Sequence, residues 1–312
     1  MRVAALLACA LVASLPAQAQ ARVCAKWGTP VRAGVLDDQI IDEASGLEAS
    51  VRFPGRLYHN NDSGDDLRFF ITDMAGGATR IVNLKGPRPL DIEEMSLGPC
   101  GKRTCIYLGD IGDNPASRSE VSFTLVEEKE AFAETETPLR VVRARYPNGP
   151  HNAEAFAVTP KGDLILVTKP ADAKAMTPGP AQVFKLSANQ LTQTEGVQVF
   201  ARVGEIDLPR LLPDLPFYGS IVTGLDIAAD GHAILLTYAA MLELNFDLSQ
   251  GAPPTAEWKL GETWQLLKPP PLQQQEAIAW LPDASGFLYD TETGGGSRRG
   301  PATLNKVMCE AP

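Results

Sequence analysis

Apolar residues in this chain come in short runs cut by Gly, Pro, Asn and Asp, and one phrase recurs among them. It reads Glu43-Ala-Ser-Gly-Leu47, Asp91-Ile-Glu-Glu-Met-Ser-Leu97, Asn152-Ala-Glu-Ala-Phe-Ala-Val158, Val222-Thr-Gly-Leu-Asp-Ile227 and Gln274-Gln-Glu-Ala-Ile-Ala-Trp280. Each couples polar positions to small and apolar ones. A turn follows, then a second apolar run: Arg56-Leu-Tyr58, Cys105-Ile-Tyr-Leu108, Asp163-Leu-Ile-Leu-Val167, His232-Ala-Ile-Leu-Leu236 and Gly286-Phe-Leu-Tyr289. Runs rich in β-branched and aromatic residues between turn formers predict strands. A strand unit repeated at such a period predicts an all-β fold, a β-propeller of four-stranded blades.

The units parse as 44–50, 56–60, 67–73 and 79–84; 92–97, 104–109, 121–127 and 139–146; 153–159, 163–168, 181–186 and 197–203; 222–228, 233–238, 241–246 and 255–260. The last unit has only 277–281, 286–290 and 303–308, so its fourth strand must come from segment 21–35. This predicts five blades closed by joining the two ends of the chain. Six is the alternative, if the N-terminal segment or 187–221 hides another sheet. Closure leaves no sheet edge open to another chain. Segments 128–138, 170–180, 204–220 and 261–273 read as loops or short helices rather than domain boundaries.

Of the 312 residues, the first 19 read as a signal peptide: Arg2, an apolar stretch from Val3 to Leu15, then Pro16-Ala-Gln-Ala19. The stretch is too short to span a bilayer, and no later one is long enough. A lipoprotein reading through Cys9 is poor, because little apolar sequence precedes it. The expectation is a single domain, 20–312, in the periplasm or secreted. Without the leader the chain holds 27 basic and 38 acidic residues, a net charge of −11. That balance argues against nucleic acid and anionic membranes and suits cations or neutral ligands. Four cysteines remain, an even number in an exported chain, which predicts disulfides. Cys100 and Cys105 flank a turn and should pair; Cys24 and Cys309 would meet where the ring closes. Metal binding by the thiols is the rival reading, but no CxxC or nearby His supports it.

In a propeller the first strand of each blade lines the channel. Aligning the repeats sets Ser45, Glu93, Glu154, Thr223 and Glu276 at one level. Two residues earlier come Glu43, Asp91, Asn152, Ile221 and Gln274. The segments after the second strands reach the same rim: His59-Asn-Asn-Asp-Ser-Gly64, Gly109-Asp-Ile-Gly-Asp-Asn114, Thr168-Lys169, Thr237-Tyr238 and Asp290-Thr-Glu292. Carboxylates gathered in this way repel one another unless a cation or shared protons intervene. Oxygen donors of this kind suit Ca²⁺, or Mg²⁺ with more water. For any one acid the alternative is a cap on a turn or a bond to the next blade.

The expected metal ligands are Glu43, Asp62, Asp91, Glu93, Asp110, Asp113 and Glu276. Glu154, Lys169 and His59 are the candidates for catalysis, with Glu93 and Glu276 as other possible bases. His151, Asn152, Tyr238 and Asn60 are the candidates for substrate contact. For Lys169 the competing role is an ion pair with Glu154, and for Tyr238 it is a plain wall of the funnel. His232 reads as an exposed turn residue on the opposite face. No G-x-S-x-G, HExxH, Walker loop or G-x-G-x-x-G occurs in a suitable context, and Gly294-Gly-Gly-Ser-Arg-Arg299 reads as a flexible loop.

The motif series, and Gly109-Asp-Ile-Gly-Asp-Asn114 most specifically, resembles a family of exported bacterial β-propellers over nearly the whole mature chain. More distantly it is similar to the calcium-dependent propeller phytases and the gluconolactonase/regucalcin propellers. The resemblance implies an acidic rim that holds divalent metal. The Lys and Arg residues a phytase needs around its anionic substrate are not evident, a departure that argues against phytate itself. The expected function is hydrolysis of a phosphoester or lactone-type ester at the acidic mouth by a monomer. The alternative is a non-catalytic propeller that recognises a glycan, peptide or protein.

Overall fold

The computed structural model describes residues 23–37, 39–172, 177–270, 272, 274–292 and 302–310. The expected leader, Cys9 and segment 294–299 lie outside the described residues. The strands form five antiparallel blades, named here in chain order from the inner strand outward. The first holds Ala44–Ala49, Arg56–Asn61, Arg68–Asp73 and Arg80–Leu84. The second holds Ile92–Cys100, Arg103–Asp110, Val121–Glu127 and Arg140–Arg145. The third holds Ala153–Val158, Leu164–Thr168, Ala181–Leu186 and Ala201–Ile206. The fourth holds Val222–Ile227, Ala233–Thr237, Met241–Leu244 and Trp264–Leu267. The fifth holds Gln275–Trp280, Gly286–Thr291, Thr303–Met308 and, from the other end of the chain, Val31–Val35. Each inner strand packs on the inner strands of the blades before and after it, and the fifth meets the first. The ring therefore closes at five blades, and the sixth is excluded.

Small residues make that convergence possible. Ala44, Gly46, Ala155, Ala157, Gly224, Ala277 and Ala279 sit on inner strands. The large side chains fill the wedges between blades. Tyr58 and Phe69 of the first blade pack with Ile106 and Leu108 of the second, and Phe123 of the second with Phe156 and Phe184 of the third. Val183 of the third packs with Leu235 and Leu242 of the fourth, Leu236 of the fourth with Phe287 of the fifth, and Leu288 of the fifth with Leu47 of the first. Burying one such side chain stabilises by about 1.5–3 kcal/mol, so these wedges contribute a large share of what holds the ring together.

The closure is made in three ways. Val31–Val35 pairs antiparallel with Thr303–Met308. Cys24 is disulfide-bonded to Cys309. Trp27 lays its ring 5.0 Å from Phe287 and 6.0 Å from Trp280, while Glu243 of the fourth blade accepts the Cys24 N–H at 2.8 Å. Cys100 is bonded to Cys105 across its hairpin, as expected.

Three local readings need correction. Segment 255–260 is not the outer strand of the fourth blade. Pro253 and Pro254 lead into a 3₁₀ turn, Thr255–Glu257. The single buried Trp258 packs on Phe246 and Trp264, which mimicked strand alternation. Segment 197–203 is not one strand. Val197–Val199 adds in parallel to the second blade, Phe200 is buried at the crossing, and Ala201–Ile206 joins the third. His232 is not exposed: it is 8% accessible and faces the Asp230 carboxylate at 3.0 Å. Among the described residues, no helix is long and apolar enough to cross a membrane.

Candidate metal centre and channel mouth

All five inner strands break register with their neighbours at the same place. The ladder skips between Ala44 and Gly46, Ile92 and Glu94, Ala153 and Ala155, Val222 and Gly224, and Gln275 and Ile278. The skipped positions include Ser45, Glu93, Glu154, Thr223 and Glu276, the five that the repeats align. A bulge frees a residue from the ladder and re-aims its side chain. Here one bulge repeated five times sets one ring of polar side chains at the mouth. The two hydroxyl members close inter-blade seams: Ser45 donates to the Glu93 carbonyl, and Thr223 to the Gln275 carbonyl at 2.9 Å. The three carboxylates are left for other work.

Glu93 meets Asp62 and Asp91. One carboxylate oxygen from each lies within 4.8 Å of the others, the span that a Ca²⁺ ion with bonds of about 2.4 Å bridges. Gly112 faces this cluster. A Cβ placed there would lie 2.2 Å from Asp91 Oδ2 and 2.3 Å from Glu93 Oε1. Any side chain at 112 would thus push the Asp91 and Glu93 carboxylates out of place. The glycine in the Asp-Ile-Gly-Asp motif is required for space, since its φ is not in the left-handed region. Burial, then repulsion from Asp62, pushes the Asp91 carboxyl up to about 6. Burial followed by Asp62 and Asp91 raises Glu93 well above the ordinary range, despite Lys169 nearby. The cluster is short of positive charge, and oxygen donors alone make the set suitable for a hard divalent cation.

Beside the cradle, Lys169 donates to Glu154 and, at 3.1 Å, to the Tyr238 hydroxyl. The Lys169 and Glu154 side chains are 13% and 7% exposed, so the ion pair foreseen as the competing role of Lys169 is present. Glu154 Oε2 is buried without a partner. Gln274, held at a φ of 43°, donates to Glu276 at 3.1 Å and to Glu292 at 2.5 Å. Burial lifts Glu276 to about 7, with Lys169 and Gln274 opposing and Glu292 adding to the rise. A cavity of about 760 Å³ opens next to Lys169, walled by the third and fourth blades with Asn114 and Ala116 from the second and Leu272 and Gln274 leading into the fifth.

No family model and no curated protein matches the chain. Solved structures of similar course include a luciferin-regenerating enzyme, at 10% identity and TM-score 0.47, covering 89% of this chain and 95% of that one. A calcium-binding protein, regucalcin, from Agrobacterium tumefaciens aligns at 12% identity and TM-score 0.43, over 91% and 96%. A streptogramin B lyase aligns at 10% and 0.39, over 90% and 97%. Similarity this low assigns no activity, and the fold rests on the chain's own strand order.

Other expected ligands stand apart from the cradle. Asp110 accepts the Asp91 and Leu90 N–H groups and pairs with Arg118 at 2.8 Å. Asp113 accepts the Arg118 N–H at 2.7 Å. Both shape the loop that carries Gly112, the capping role foreseen for individual acids. Glu43 lies at the rim, raised first by burial, then by Asp42 and Asp62. His59 is wholly buried, with Nε2 2.9 Å from the Thr72 hydroxyl and Nδ1 3.7 Å from Asp290, so it touches no substrate at the mouth. Asn60 is buried against Gly46. Asn152 accepts the Asp113 N–H at 2.7 Å, and His151 stands edge to face with Tyr146, ring centroids 5.0 Å apart; Asn152 and His151 line the cavity, as does Tyr238. Reading the sequence placed Gln274 at the mouth without a role, and missed the part played by Gly112 and the cavity walls Phe217 and Tyr218. Gly112 stood in the quoted motif, and asking why a glycine is needed there would have found it.

Proposed function

We propose that this chain binds a divalent cation, Ca²⁺ or Mg²⁺, in the Asp62–Asp91–Glu93 cradle and hydrolyses a phosphoester or lactone-type ester beside it. The observation that carries this reading is the convergence of one carboxylate oxygen from each of Asp62, Asp91 and Glu93 within 4.8 Å of one another, against a glycine where a Cβ would overlap two of the three carboxylates. A bound cation would polarise a substrate oxygen and acidify a water. Of the three bulge carboxylates, Glu276 is best placed as base: Glu154 is tied to Lys169 and Glu93 belongs to the cradle. On a carboxylic ester, the water oxygen bonds the acyl carbon while one water proton passes to Glu276. The C–O bond to the alkoxy group then breaks, and that group leaves with the proton as an alcohol. The two disulfides suit an oxidising compartment, in keeping with export of a monomer to the periplasm or beyond. Thermal unfolding in chelator and in millimolar Ca²⁺ or Mg²⁺ tests the cradle. Wild type should melt higher with metal, by mass action, and Gly112→Ala should melt at one temperature in both. A wild type indifferent to both metals would remove the cradle from the account. Turnover of phosphoesters and lactones with Glu276→Gln as control tests the hydrolysis.

A further inference from the structure

The cavity beside Lys169 has a chemistry different from the rim. Its volume is about 760 Å³, within the usual range for small-molecule sites. Phe217, Tyr218, Ile221 and Leu272 supply an apolar wall. Phe217 and Tyr218 stand edge to face with centroids 4.8 Å apart, and Tyr218 is 54% exposed. Among the described residues no carboxylate lines the cavity, and Lys169 is the one Lys or Arg that does. That ammonium is already neutralised by Glu154 and hydrogen-bonded to Tyr238. The cavity joins the metal cradle through one short segment: Gly112 faces Asp91 and Glu93, and Asn114 lines the cavity while accepting from the Asn152 amide at 3.2 Å.

A phosphate dianion placed at this junction would face, on one side, rim carboxylates that outnumber the charge of a divalent cation in the cradle and, on the other, no unclaimed cation among the described residues. Desolvating such a charge without a partner is costly. A neutral apolar or aromatic group would instead cover exposed ring surface and leave Lys169 with its existing partners. We infer that the cavity takes the apolar, ring-bearing arm of a neutral carboxylic ester, whose carbonyl then points to the Asp62–Asp91–Glu93 cradle. This rests on the hydrolytic reading above and narrows it from two ester classes to one, with the arm, not a phosphate, as the recognised feature.

A matched pair of lactones separates arm from reacting group: γ-phenyl-γ-butyrolactone and γ-butyrolactone. The unreactive lactam 5-phenyl-2-pyrrolidinone reports binding alone, by calorimetry on the intact protein with Ca²⁺. The expected result is lactam binding that weakens tenfold or more in Phe217→Ala and in Tyr218→Ala. The KM for the phenyl lactone should rise alongside, by a larger factor than the KM for γ-butyrolactone. Tyr218→Ala guards against a folding defect, since that side chain is more than half exposed. No lactam binding, or equal binding by wild type and both variants, overturns the inference. Preferential turnover of p-nitrophenyl phosphate overturns the charge argument. Lactam binding that is lost in the variants, with no lactone hydrolysed, upholds the cavity's occupant and rejects the hydrolase reading instead.

Discussion

Glu94 offers the sharpest test of how this channel is built. It follows the bulge in the second blade and is wholly buried. Its Oε2 accepts the Leu225 N–H of the fourth blade at 3.3 Å, across the axis, and its Oε1 accepts the Met95 N–H at 3.0 Å. The equivalent positions in the other blades are Gly46, Ala155, Gly224 and Ala277. A Cβ on Gly46 would lie 3.0 Å from Oε1, and one on Gly224 3.4 Å from Oε2. One carboxyl thus plugs a level that the other four blades leave open. Burial raises its pKa well above the ordinary range; the two backbone bonds oppose the rise, and Glu48 and Asp226 add to it. The folded protein therefore keeps this proton to a higher pH than the unfolded chain, which releases it near about 4.3. The resulting stability is full below that pH and is lost as pH rises towards the folded value. The slope is at most about 1.4 kcal/mol per pH unit for one proton. Glu94→Gln keeps the shape and cannot titrate. Urea unfolding in chelator at pH 4.5, 5.5, 6.5 and 7.5 should show a pH slope shallower by up to that amount, with the variant gaining on wild type as pH rises. Glu94→Ala should cost about 1–3 kcal/mol for the stranded Leu225 N–H, with a cavity penalty besides. Parallel stability lines for wild type and Glu94→Gln would refute the account.

Other outcomes follow from the same geometry. Replacing Cys24 and Cys309 by Ser should lower stability by about 2–5 kcal/mol, since the bond spans 285 residues; an unchanged urea midpoint would show that strand pairing alone closes the ring. Lys169→Met should cost about 3 kcal/mol by leaving Glu154 buried and unpaired, and adding Glu154→Gln should recover part of that loss. Additive losses in that cycle would mean the pair is uncoupled. Trp27→Ala should lower the unfolding midpoint by about 3 kcal/mol of stability through the lost contacts with Trp280 and Phe287; near-wild-type unfolding would place the terminal segment outside the cooperative core.

Much of the fold was legible because a propeller repeats one local pattern. The small and apolar phrases marked all five inner strands, and aligning those repeats put Ser45, Glu93, Glu154, Thr223 and Glu276 at one level. The leftover three-stranded unit forced the two ends together, which also brought Cys24 to Cys309. Outer strands were harder. Trp264–Leu267 and the split at Phe200 depend on which neighbouring sheet offers free backbone groups, and sequence alternation does not contain that information. The chemistry divides along the same line. Composition and repeat made the mouth acidic. Tertiary structure decided which acids meet, because Asp110 and Asp113 were close in sequence yet were consumed by Arg118 and backbone N–H groups, while Asp62, Asp91 and Glu93 converged from two blades. It alone joined Gly46 and Gly224 to Glu94, and set Phe217 and Tyr218 beside Lys169. Such pairings arise only when strands distant in the chain are brought within a few ångströms by the closing of the ring.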